Sequence, residues 1–194
     1  MNKRIWGMLL ALSVCSPAWA DDCGSGRVMS FETFMHREFP VDLPLRIYVP
    51  SEYEYVEPAS KRAVSAHWMV PGQEKMVDME PMGVVKDGFL FGIWSRDVAY
   101  DSRANAFVGL EGAIAEAQKD KSAGIEIERA DYQGHDLLFV EFDDPETKRR
   151  AYTAYIDMNY EDSVFMVLYI APESGDRAYS ACVWRKVKSA FKGE

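Results

Sequence analysis

Residues 124–170 read GIEIERADYQGHDLLFVEFDDPETKRRAYTAYIDMNYEDSVFMVLYI, and this stretch decides the fold. Ile125, Glu126, Ile127 and Glu128 alternate apolar and charged with the period of two that a half-buried strand requires. Gln133-Gly134 is a turn, and Leu137 to Phe142 is a strand closed by Asp143-Asp144-Pro145. Tyr152, Ala154, Ile156 and Met158 alternate with Thr153, Tyr155 and Asp157, and Asn159 to Asp162 makes the next turn. Val164 to Ile170 is apolar at every position, as in a central strand covered on both faces. Connections this short exclude crossovers, so the strands form an antiparallel meander.

Working outward, a helix is expected on each side. After Pro172 one runs from about Asp176 to Phe191, with Tyr179, Val183, Val187 and Ala190 as its apolar stripe. Cys182 sits beside that stripe, and Lys186, Lys188 and Lys192 near the C-terminus suit the helix dipole. Upstream, Asp101 and Ser102 are N-cap candidates for a helix ending near Lys121, with Phe107, Leu110, Ile114 and Ala117 on one face. Gly88 to Ser95 reads as a buried strand, and Ala63 to Val70 as another, ended by Pro71-Gly72. Leu45 to Val49 is a strand closed by Pro50, and Arg27 to Phe39 contains a further one. Gly72 to Gly83 is polar and Met-rich and reads as a loop, as does the acidic stretch carrying Tyr53 and Tyr55. The expected fold class is α+β: an antiparallel sheet with two main helices packed on it.

The first twenty residues read as a signal peptide. Lys3 and Arg4 supply positive charge, Ile5 to Val14 is apolar but too short to span a bilayer, and Ala18-Trp19-Ala20 fits the cleavage pattern. Lipidation at Cys15 is the alternative, disfavoured by bulky Val14 before it. Residues 21–194 then form a single domain, periplasmic or secreted, with no integral membrane segment. The whole chain carries 31 acidic against 22 basic residues, net −9, a balance that repels nucleic acid and anionic lipid and suits a basic partner. Cleavage after Ala20 leaves two cysteines, Cys23 and Cys182, and an even count in an oxidising compartment predicts one disulfide.

The layout resembles the PsbP-like superfamily, the fold type of the photosystem II extrinsic subunit, Mog and DcrB. The residues that carry the resemblance are Phe39-Pro40, Leu45 to Pro50, the central helix Asp101 to Lys121, Gly134 before the strands of Tyr152, Tyr155 and Tyr169, and the closing Ser189-Ala190-Phe191. The resemblance implies a non-enzymatic binding or accessory module and transfers no catalytic residue.

The residues themselves offer little catalytic chemistry. Nucleophile-elbow, zinc-protease, phosphate-loop and EF-hand motifs are absent from the sequence. His36, His67 and His135 are far apart, and Asp143-Asp144 reads as a solvated turn pair. The aromatic residues Tyr48, Tyr53, Tyr55, Trp68, Trp94, Tyr152, Tyr155, Tyr169 and Trp184 either fill the core or, where they face outward as Tyr155 is expected to, stack on a ligand or partner. The expected function is therefore protein–protein contact without turnover or cofactor, as in an immunity protein or an envelope-complex subunit. Its contact residues are expected at Glu52, Tyr53, Glu54 and Tyr55 and at Met76, Met79 and Met82. The alternative is a Cu(I) site of thioethers from Met69, Met76, Met79 and Met82.

Overall fold

The first described strands form a ribbon in which β1 (Gly26–Phe31) lies antiparallel to β4 (Leu45–Pro50), with a small hairpin of β2 (Phe34–His36) and β3 (Phe39–Val41) between them in sequence. There follow β5 (Tyr55–Val56), β6 (Arg62–Ser65), β7 (Met76–Val85), β8 (Phe89–Ser95), α1 (Ala106–Ala117) and a short 3-10 turn. The meander comes next as β9 (Glu126–Tyr132), β10 (His135–Asp143), β11 (Arg150–Asp157) and β12 (Ser163–Ile170), and α2 (Arg177–Lys192) is the last described element. This computed structural model describes residues 23–31, 34–36, 39–41, 44–51, 53, 55–56, 62–65, 68–71, 76–85, 88–95, 106–144, 147–158, 163–172 and 176–193. For the strands at 34–41, 55–65 and 76–85 the backbone alone is described. The expected signal segment 1–20 and the N-cap candidates Asp101 and Ser102 lie outside the described residues.

Among the described residues the main sheet has eight strands, in the order β5-β7-β8-β12-β11-β10-β9 with β6 also paired to β7, and every neighbouring pair is antiparallel. The protein is thus α+β. Gln133 and Gly134 both take positive φ, 55° and 86°, which gives the β9–β10 hairpin a two-residue turn whose twist matches its strands.

Alternation sorts the meander's side chains onto two faces. Phe139, Tyr152, Ala154, Phe165, Val167 and Tyr169 meet Val183, Trp184, Val187 and Phe191 of α2 and Leu45, Ile47 and Val49 of β4. Leu138, Val140, Tyr155, Val164, Met166 and Leu168 meet Phe107, Leu110 and Ile114 of α1. β12 lies between β11 and β8 and is buried from Ser163 to Tyr169. Its unbroken apolar run follows from this, because a strand under two helical layers has no solvent face. α2 starts at Asp176, whose carboxylate accepts the Ala178 N–H at 2.8 Å, and ends at Gly193 with φ 74°.

Cys23 and Cys182 are paired as a disulfide, with Cα atoms 5.7 Å apart and 159 residues between them in sequence. Lys186, one turn beyond Cys182, donates to the Gly24 carbonyl at 2.9 Å and lies over the Tyr48 ring. The Tyr48 ring also covers Gly26 so closely that a Cβ there would overlap its atoms, which explains a glycine at the start of β1.

Three expectations are corrected. The segment 72–83 is not a loop throughout, because Met76 onward belongs to β7, and Pro81, which suggested a break, is accommodated beside a register shift between Pro81 and Gly83. The strand expected over Ala63 to Val70 stops at Ser65, and Met69 and Val70 are instead buried against the α1 face from a turn. Asp144 is not solvated but fully buried: its Oδ2 accepts from both the backbone N–H and the hydroxyl of Thr147 at 2.6 Å, so it organises the β10–β11 turn.

Candidate functional site

The two stretches expected to make contacts are separate in sequence but adjacent in the sheet. Tyr55 and Val56 of β5 pair with Val85 and Val84 of β7, and Arg62 to Ser65 of β6 pair with Met79 to Met76. Tyr55, Met76, Met79 and Met82 therefore share one end of the sheet, with Met82 at the bulge. Strand geometry sets positions 76 and 79 on opposite faces of the sheet. Met69 is removed from that set: it is buried in the α1-side core, and its carbonyl accepts the Tyr155 hydroxyl at 2.8 Å.

Tyr53 anchors this end to the core. It is half-buried, and its ring lies 5.9 Å from that of Phe89 and 6.4 Å from that of Tyr169. Glu52 and Glu54, on either side of it, lie outside the described residues.

Tyr155 is not an outward stacking surface. It is 0% exposed, because α1 covers the face that a simple alternation pattern would leave to solvent. Burial raises its phenol pKa, so it serves as a neutral donor to Met69. Tyr152 and Tyr169 stack on the other face at 5.5 Å, and burial pushes the Tyr152 phenol up to about 12. These rings belong to the core.

Among the described residues, an array of charges ties α2 to the meander. Lys188 bonds Glu128 at 3.0 Å and Glu141 at 3.4 Å, and Lys192 bonds Glu128 at 2.7 Å. Arg150 meets Glu126 at 2.8 Å and both Glu141 and Asp143 at 3.6 Å, while Arg177 meets Asp143 at 3.1 Å. The Lys192 and Lys188 hydrogen bonds hold the Glu128 carboxyl below its ordinary pKa. A carboxyl so depressed stabilises the fold above its unfolded-state pKa, and that contribution disappears as pH falls through the folded value. Glu128→Gln should therefore flatten the loss of stability on acidification, seen as urea midpoints compared from neutral to acid pH. The Glu128 side chain is 41% exposed, so the difference should stay below about 1 kcal/mol. An unchanged slope would show that Glu128 is not a determinant of acid stability.

His135 bonds the Asp157 carbonyl through Nδ1 at 2.8 Å, and His67 lies outside the described residues. Among the described residues no group of three or more His, Cys, Asp or Glu is placed to hold a metal ion, and no helix is long and apolar enough to cross a membrane. No family model matches the chain, and no curated protein matches it.

Proposed function

We propose that this chain is an exported, PsbP-like accessory protein that works by binding a protein partner, with no turnover of its own. The observation that carries the reading is that β5 and β6 both pair with the Met-bearing strand β7, so Tyr55 and the methionines share the β5–β6–β7 side of the main sheet. Flexible thioethers adapt to apolar partner groups, and tyrosine adds contact area with a polar tip. Tyr53, packed on Phe89 and Tyr169, gives that edge a rigid footing. The net charge of −9 favours a basic partner reached by electrostatic steering. The disulfide fits export, since such bonds persist in oxidising compartments. An immunity protein and an envelope-complex subunit both fit this description. The burial of Met69 in the α1-side core weighs against the Cu(I) alternative.

The test is affinity capture from envelope extract with the wild-type protein and with a variant combining Glu52→Ala, Glu54→Ala, Tyr55→Ala and Met82→Ala. A partner held at low salt, weakened at high salt and lost in the variant is the expected result. Equal capture by both proteins would exclude this edge, and turnover of a small substrate by the purified wild type would overturn the reading.

A further inference from the structure

Besides the edge assigned above, the open edges among the described strands include β9 at the end of the main sheet and β1, which pairs with β4 alone. Open edges invite other strands, and proteins commonly guard them with charge. β9 is guarded in this way by Glu126, Glu128, Arg129 and Asp131. β1 has the single charge Arg27, and it exposes Val28 at 45%.

The direction of the open groups follows from the ladder. Ser51 N–H donates to the Ser25 carbonyl at 2.9 Å, and residues 25 and 51 are opposite each other in the β1–β4 register. Hydrogen-bonded pairs alternate along an antiparallel ladder, so Arg27 and Met29 turn their backbone groups toward β4. Gly26, Val28 and Ser30 turn theirs outward.

We infer that β1 pairs antiparallel with β1 of a second copy of this chain, about a two-fold axis at Val28. In that register Val28 meets the partner's Val28, and Gly26 meets the partner's Ser30, all positions with outward N–H and C=O groups. Arg27 faces the partner's Met29, so no like charges are opposed. The same operation centred on the middle of β9 would set Arg129 against its own copy, which disfavours that edge. The occupant assigned to β1 is therefore self-complementary in both hydrogen bonding and charge, as a two-fold interface must be. The interface is separate from the partner-binding edge at β5, β6 and β7.

Sedimentation velocity over a concentration series tests the pairing. The purified protein should dimerise reversibly, and more readily at high salt, because each chain carries net −9 and salt screens their repulsion. That is the opposite of the salt response expected for the basic partner. Val28→Lys, at an exposed position, should keep the wild-type unfolding midpoint and weaken dimerisation by at least about tenfold by opposing two lysines. In the wild type, amide exchange at Val28 should slow as concentration rises, a readout that needs no variant. A protein monomeric at every concentration, a dimer that survives Val28→Lys, or a Val28 amide indifferent to concentration would each overturn the inference.

Discussion

Leu168→Asp is expected to cost about 4 kcal/mol or more, enough to leave a domain of ordinary stability largely unfolded. Leu168 lies on β12, flanked by Thr153 of β11 and Leu90 of β8, and is 2% exposed. Its side chain packs in the cluster formed with Phe107, Leu110 and Ile114 of α1, a cluster lined by apolar groups that would leave a carboxylate without a cation. The group would have to be protonated or drag water under α1, and either breaks the packing. A urea titration followed by tryptophan fluorescence measures the effect. A midpoint equal to that of the wild type would refute the central placement of β12.

Removing the Cys23–Cys182 bond is the second change with a large effect. A cross-link spanning 159 residues in sequence restricts the unfolded chain strongly, and the chain-entropy relation puts the stabilisation at about 5 kcal/mol. Cys23→Ala with Cys182→Ala should lower the urea midpoint by a corresponding amount, and a reductant should do the same to the wild type once unfolded. Thiol labelling under denaturing conditions without reductant should modify neither cysteine. Two labels per chain, or equal midpoints with and without the bond, would show that it contributes nothing in solution.

The sequence is legible where one local pattern determines one structural outcome. The apolar run of β12, the Gln133-Gly134 turn, the stripe of α2 and the expected pairing of Cys23 with Cys182 each correspond to a feature of the structure. The Tyr155 expectation fails because a period of two tells which residues share a face, not whether a second layer covers it. That cover comes from α1, placed by contacts far away in sequence. The Met-rich segment was obscured by Pro81 and Gly83, which mark breaks locally but lie here at a bulge between two paired stretches of β7. Asp144 looked like a surface residue because polarity and turn context say nothing about burial once a side chain satisfies its own turn. For the proposed contact edge, the residue types are legible in the sequence, and only strand pairing shows that Tyr55 and the methionines lie on the same side of the sheet, β5 pairing at the far end of β7 from Met76. The open β1 edge has no sequence signal of its own, since it depends on which strand is last.

The Cys23–Cys182 bond also changes how the protein bears load. It closes residues 23–182, with the whole main sheet and α1, into one covalent ring, while most of α2 lies beyond Cys182. A motor pulling on segments outside the ring would load the sulfur–sulfur link and the part of α2 beyond Cys182, not β12 or α1, so tension alone would not peel the strands apart. To thread this protein through a narrow channel, the motor must admit two chain segments side by side, or wait for a thiol to cut the ring.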